Sequence, residues 1–224
     1  MKSIYLVGTL LLALVFVAFV LFTQKSKSTE PQNTVVTDVD KTVLPNEAEY
    51  MVDSTQSSVT WSAEKPLIPG YVHRGDVAIS DGSLSVKETS ISGKLTVDMS
   101  TIAVTSIGGG KDGAESVLEK HIQSDDFLSI AQFPNATLTI QSAQKAAVTD
   151  TYTVQATLEI KGVTKEVTFP AKLVGNEQGV HLTADFSIDR TRWDITYGSA
   201  SFFENLAENA ISDDVAIKLD LYAK

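Results

Sequence analysis

The chain has 224 residues, 43% of them apolar and 21% charged, which is the composition of an ordinary globular protein. Its 18 basic and 28 acidic side chains give a net charge of −10, which argues against nucleic-acid binding by neutralisation of phosphates. Because the sequence has no cysteine, disulfides, thiolate metal sites and a catalytic thiol are excluded.

The first 45 residues predict a membrane segment and a tether. Residues 4–22 carry no charge and are flanked by lysines. At about 1.5 Å per residue, such a helix nearly spans a hydrocarbon core of roughly 30 Å. The run exceeds the apolar core of a cleaved signal peptide, about 7 to 15 residues. We expect residues 1–23 to anchor the protein in the inner membrane with its domain on the periplasmic side; secretion into the periplasm after signal cleavage is the alternative. Residues 24–45 are polar and aperiodic, and predict a flexible linker.

Residues 46–224 are predicted to form one all-β domain. Apolar and polar residues alternate with a period of two in eight segments, the pattern of strands with one face on a core and one in water. Residues 112–122 switch to helical spacing. Eight strands with one short helix favour a closed antiparallel barrel or a sandwich, and an eight-stranded barrel can hold one small ligand. The strands include residues 59–63, 77–79, 91–99, 136–140, 152–160, 167–173, 180–188 and 215–221.

Three segments resemble signatures of the YceI-like family of lipid- or polyisoprenoid-binding proteins. Residues 118–140 contain HIQSDDFL followed by FPNA, residues 158–167 read LEIKGVTKEV, and residues 186–198 read FSIDRTRWDITYG. The sequence departs from the first signature at Leu128, where a second phenylalanine is usual. The likeness extends in order over residues 50–221. It implies a lipocalin-like antiparallel eight-stranded barrel, exported across the inner membrane, that holds an isoprenoid or another long apolar chain and has no known catalytic residues.

These observations favour a binding protein. We expect a barrel that binds a polyisoprenoid, quinone or fatty-acid derivative at the cell envelope, without enzymatic activity or a cofactor; a homodimer is a further expectation. The three histidines lack metal-ligand spacing, so no metal site is predicted. One alternative is an envelope stress or interaction protein whose barrel is filled by its own aromatic side chains. Another is a hydrolase that uses His73 and His121 at the barrel mouth.

The candidate ligand contacts come from the inward strand phase and from the aromatic residues. If the strand through Phe186 and Ile188 continues, Arg190 and Arg192 share its inward phase and reach the barrel mouth. Two guanidinium groups there suit an anionic head group. The alternative is that both arginines pair with neighbouring aspartates on an exposed turn. No catalytic residue is predicted. The predicted ligand-binding residues are Trp61, Phe127, Phe133, Phe169, Leu182, Phe186, Ile188, Arg190, Arg192, Trp193 and Tyr197.

Overall fold

The computed structural model describes residues 47–87, 90–109, 113–146, 151–176 and 179–224. The predicted transmembrane helix and the predicted linker lie outside these residues. Within the described ranges, no helix has both the length and the apolar character needed to cross a membrane.

The described residues form nine antiparallel strands and one α-helix. Eight strands, β2 to β9, form a ring in the order β3-β2-β9-β8-β7-β6-β5-β4, and the pairing of β3 with β4 closes it. The predicted eight-stranded barrel is therefore confirmed. The strands are β1 (Ala48–Met51), β2 (Ser58–Glu64), β3 (Val72–Lys87), β4 (Ser90–Ile107), β5 (Asn135–Lys145), β6 (Thr151–Ile160), β7 (Val163–Asn176), β8 (Gly179–Asp189) and β9 (Asp214–Ala223).

The sequence did not predict the short first strand, β1, which is not part of the ring. It pairs with the second half of β3, where Tyr50 lies opposite Leu84, while β2 pairs with the first half, where Val59 lies opposite Val77. Because β3 has 16 residues, one of its edges accommodates both short strands. Four residues are too few for a period of two to stand out in the sequence.

The alternation predicted for β8 is present in the structure. Its inward residues Val180, Leu182, Ala184 and Ile188 are buried, whereas Asp185 between them is exposed. The same phase holds along β6, where Tyr152, Val154, Ala156 and Leu158 are buried. The inward faces of the strands together form one core.

The two ends of the barrel differ in their connections. At one end, here called the loop end, β2, β4, β6 and β8 finish and β3, β5, β7 and β9 begin. The long connections lie there: residues 65–71, helix α1 (Glu115–Gln123) and residues 190–213. At the opposite end, here called the turn end, only two residues join β3 to β4 and two join β7 to β8.

Candidate functional site

An apolar cavity of about 230 Å³ occupies the loop-end half of the barrel. Seven of the eight ring strands contribute inward residues to its wall, among them Val97, Leu138 and Ile217. Leu118 and Ile122 of α1 line it at the loop end. One water molecule needs roughly 10 to 15 Å³ of such space, so this cavity accommodates a chain of many atoms. A barrel filled by its own side chains does not account for this half of the molecule.

On the side of β7 and β8, the cavity ends at a stacked pair of phenylalanines. The rings of Phe169 on β7 and Phe186 on β8 lie 4.2 Å apart with an interplanar angle of 10°. Phe186 lines the cavity, whereas Phe169 is only 2% exposed and does not. On the turn-end side of this pair, Leu173 and Leu182 are almost completely buried against other side chains. The turn-end half is thus a packed core.

Two polar side chains lie on the cavity wall next to each other. In the β2–β3 pairing, Trp61 is opposite Gly75 and Ala63 is opposite His73, so Trp61 and His73 are diagonal neighbours on the inward face. A β-carbon at position 75 would lie 2.5 Å from the Trp61 ring, so glycine there allows the indole to lie against β3. The Trp61 Nε1 and His73 Nδ1 atoms are buried, and neither has a hydrogen-bond partner among the described residues.

The His73 side chain is held as the neutral imidazole. Its ring packs edge-on against Tyr71, with centroids 4.7 Å apart. Burial lowers the pKa of His73 below its ordinary value, and the nearby charge of Lys65 lowers it further. At pH 7 the ring therefore offers one N–H donor and one nitrogen acceptor.

Arg190 lines the cavity, but its polar atoms are used by the protein. The residue is only 4% exposed. Its Nε donates to the Ser212 carbonyl at 2.9 Å, Nη1 to Ile195 at 2.6 Å and Nη2 to Ile211 at 3.2 Å. The Asp213 carboxylate lies 3.6 Å from Nη2. Burial lowers the pKa of this guanidinium, while the charge of Asp213 acts in the opposite direction.

The predicted pair of guanidinium groups at the mouth is not formed. β8 ends at Asp189, whose side chain accepts a hydrogen bond from the Thr191 backbone N–H, and residues 190–193 form a 3-10 turn. Arg192 thereby leaves the strand phase, is exposed, and donates to the Glu166 carbonyl at 3.0 Å. The prediction was wrong because it extended β8 beyond its last residue.

Five of the eleven predicted contacts line the cavity, namely Trp61, Phe127, Phe186, Ile188 and Arg190. Three others belong to the packed interior instead. Phe169 and Leu182 lie in the turn-end half, and Trp193 is fully buried with its Nε1 donating to the Leu158 carbonyl at 3.0 Å. Phe169 and Leu182 have the predicted inward phase but belong to the packed half, and Trp193 lies in the 3-10 turn after β8.

The other predicted aromatic contacts lie outside the cavity wall. Phe133 packs against Gly162, at the β6–β7 turn, and the exposed Tyr197 packs against His121 and Phe127. His121 Nε2 lies 3.3 Å from Asp126, and its ring shares no aromatic neighbour with His73. Of the two histidines in the hydrolase alternative, only His73 is among the described residues that line the cavity. Among the described residues, no three His, Asp or Glu side chains cluster as a metal site would require.

Sequence reasoning missed most of the apolar wall. The missed residues share the inward phase of strands near the loop end, so the alternation itself carried the signal. They include Val59, Val77, Leu95, Val97, Met99, Leu138, Leu158, Val215 and Ile217.

Residues 50–223 match the YceI-like domain family. The chain belongs to this family. It is 35% identical over 96 residues to the protein YceI of Salmonella newport and to that of Salmonella agona, a match that covers 42% of this chain and 46% of each relative. The chain thus spans about half the length of the curated relatives it matches.

Two solved structures share the fold of this YceI-like barrel. BcnA from Burkholderia cenocepacia is 21% identical, with a TM-score of 0.58, and the match covers 77% of this chain and 99% of BcnA. A polyisoprenoid binding domain from Saccharophagus degradans, implicated in plant cell wall breakdown, is 16% identical, with a TM-score of 0.57. That match covers 78% of this chain and 97% of the domain.

Proposed function

We propose that this protein binds one long apolar molecule in the loop-end cavity and performs no chemistry on it. The observation that carries the proposal is a cavity of about 230 Å³ inside a closed barrel, with a wall of aliphatic and aromatic side chains. Burial of an apolar chain in such a wall is worth roughly 25 cal/mol per Å² removed from water. The fold shared with a polyisoprenoid binding domain supports a polyisoprenoid as the first candidate, ahead of a quinone or a fatty-acid derivative.

The test is to identify what the full chain carries. Organic extraction of natively purified protein, followed by mass spectrometry, is expected to release one class of long apolar compound near one equivalent per chain. Ala136→Phe places a ring in the cavity wall and is expected to remove the compound. Val174→Phe is the matched control, because Val174 is 54% exposed on the outer face of β7, and it should retain the compound.

Two experimental results would contradict the proposal that the cavity binds an apolar molecule. A wild-type extract without any apolar compound, combined with no uptake of added polyprenol, would overturn it. So would an equal yield from the Ala136→Phe protein, provided that circular dichroism shows both variants to be folded.

We further propose that residues 4–22 hold the protein in the inner membrane, with the barrel in the periplasm. The support is the length of this uncharged run. Cell fractionation should place the intact chain in the inner-membrane fraction. Recovery from the soluble periplasm with a new N-terminus near residue 24 would show a cleaved signal instead.

A further inference from the structure

The cavity wall contains buried nitrogen atoms that need hydrogen-bond partners. Buried N–H groups and ring nitrogens in proteins are nearly always hydrogen-bonded. Of the three polar side chains that line this cavity, Arg190 donates to three backbone carbonyls. Trp61 Nε1 and His73 Nδ1 are buried and have no such partner in the described part of the chain. Both atoms belong to side chains of the cavity wall.

The placement of the two side chains suits a single small polar group. Trp61 and His73 are diagonal neighbours across the β2–β3 pairing, a spacing that large side chains can bridge. An indole N–H only donates, whereas a neutral imidazole can donate or accept. A hydroxyl oxygen can accept from Trp61 and donate to His73. A carbonyl oxygen can accept from both when the imidazole proton is on Nδ1.

The surrounding charges favour an uncharged group. The Arg190 guanidinium is held by backbone carbonyls and lies 3.6 Å from Asp213, so its charge already has a counterion. Lys65 is not part of the cavity wall; its Nζ lies 4.9 Å from the centre of the Tyr71 ring. Among the described residues of the cavity wall, Arg190 is the only cation and it is already paired, so an anionic head group placed between Trp61 and His73 would lose its hydration without gaining a cation from them, which is unfavourable.

We propose that Trp61 and His73 bind one uncharged oxygen of the ligand, a hydroxyl or a carbonyl, and thereby select neutral polar-headed chains. The inference rests on the proposed function of the cavity. The oxygen lies where β2 ends and β3 begins, and the apolar chain extends from there towards Leu138 and Phe186. Trp61 and His73 are specificity-determining residues in this arrangement, and neither has a chemical role.

The first experiment compares three ligands with the same chain. Affinities of the full-length protein for geranylgeraniol, geranylgeranyl phosphate and the corresponding hydrocarbon are measured by equilibrium dialysis. We expect the alcohol to bind about tenfold more tightly than the hydrocarbon, as two modest hydrogen bonds allow, and more tightly than the phosphate. Trp61→Phe and His73→Phe should bring the alcohol-to-hydrocarbon ratio towards one, and His73→Gln should retain part of it. His181→Phe, on the outer face of β8, is the matched control and should keep the wild-type ratio.

The second experiment needs no variant. The chain has two tryptophans, and in ¹⁵N-labelled protein their indole N–H signals report on Trp61 and Trp193 separately. Geranylgeraniol should shift the Trp61 signal downfield, as hydrogen bonding does, and the hydrocarbon should not. Trp193 already donates to the Leu158 carbonyl and provides the internal reference.

The outcomes separate this inference from the proposed function. If none of the three ligands binds, the proposed function fails. If the hydrocarbon and the alcohol bind equally, or the Trp61 indole signal responds alike to both, the hydrogen-bonding role is overturned while the cavity keeps its function. A phosphate that binds more tightly than the alcohol overturns the selection for an uncharged oxygen.

Discussion

The two halves of the barrel are built from the same strands with the same alternation, yet one half is packed and the other is hollow. In the turn-end half, Leu173 and Leu182 are each 2% exposed and fill the space between opposite strands. In the loop-end half, Leu138 and Ile217 face a cavity of about 230 Å³. The difference shows that the period of two determines which side chains point inward, but not whether an inward side chain meets a neighbour or a space.

The stacked phenylalanines give the largest expected contrast between the halves. Phe169→Ala should lower the free energy of unfolding by about 3–5 kcal/mol, because it opens a void in a packed region. Phe186→Ala should cost about 2 kcal/mol less, because Phe186 already borders the cavity. Urea denaturation measures both values. Equal losses would contradict the division of the barrel at this pair.

The two tryptophans give the next contrast. Trp193→Phe removes the hydrogen bond that the fully buried indole donates to the Leu158 carbonyl, so it should destabilise the protein by about 1 kcal/mol. The Trp61 indole has no such bond within the described part of the chain, so Trp61→Phe should cost less. Thermal unfolding of the two variants measures the difference, and the reverse order would show that Trp61 Nε1 has a partner within the protein.

The buried His73 should make the stability of the protein depend on pH in a way that an exposed histidine would not. Burial lowers the pKa of His73 in the folded protein, so the unfolded chain takes up a proton first as the pH falls. Above pH 6.5, the ordinary pKa of histidine, the neutral ring makes its full contribution to the free energy of unfolding. That contribution is lost as the pH falls below 6.5 and through the lower pKa of His73 in the folded protein. The wild-type Tm should therefore drop more than that of His73→Gln between about pH 7 and pH 5. Parallel curves for the two proteins would refute the assigned burial of the ring.

The smallest effect is expected on the outer face. Asp185 lies 3.0 Å from Lys218, but both side chains are about two-thirds exposed. Asp185→Asn should change the free energy of unfolding by about 0.5 kcal/mol or less, since exposed ion pairs contribute little. A loss above about 2 kcal/mol by chemical denaturation would be inconsistent with the outward phase of this position.

Local patterns predicted the strands, because alternation is a property of each segment taken alone. The eight strands and their inward faces follow from it, as β6 and β8 show. The end of β8 carried a weaker signal: Asp189 precedes Thr191 by two residues, the spacing at which an aspartate caps a turn, and this ends the inward phase before Arg192.

The candidate site could be predicted only in part, because it depends on how the strands meet. Trp61 and His73 become neighbours through the register of β2 with β3, which the sequence of neither strand specifies. The position of the cavity depends on the distance between opposite walls, and on Phe169 and Phe186 meeting from adjacent strands. Alternation contains no information on either quantity.

The pairing of β1 bears on self-association. An unpaired strand edge is a template for adding a strand from another molecule, and from there for aggregation. Every strand of the ring has a neighbour on both sides, although the pairing of β7 with β8 covers only their turn-end parts. Strand β1 is tied to the end of β9 by two hydrogen bonds between the backbones of Met51 and Lys224. The Lys224 ammonium group also lies 2.6 Å from Asp53 and helps to hold this junction. A concentrated solution should therefore not acquire thioflavin-positive, sheet-extended assemblies that grow from β1 until this junction opens.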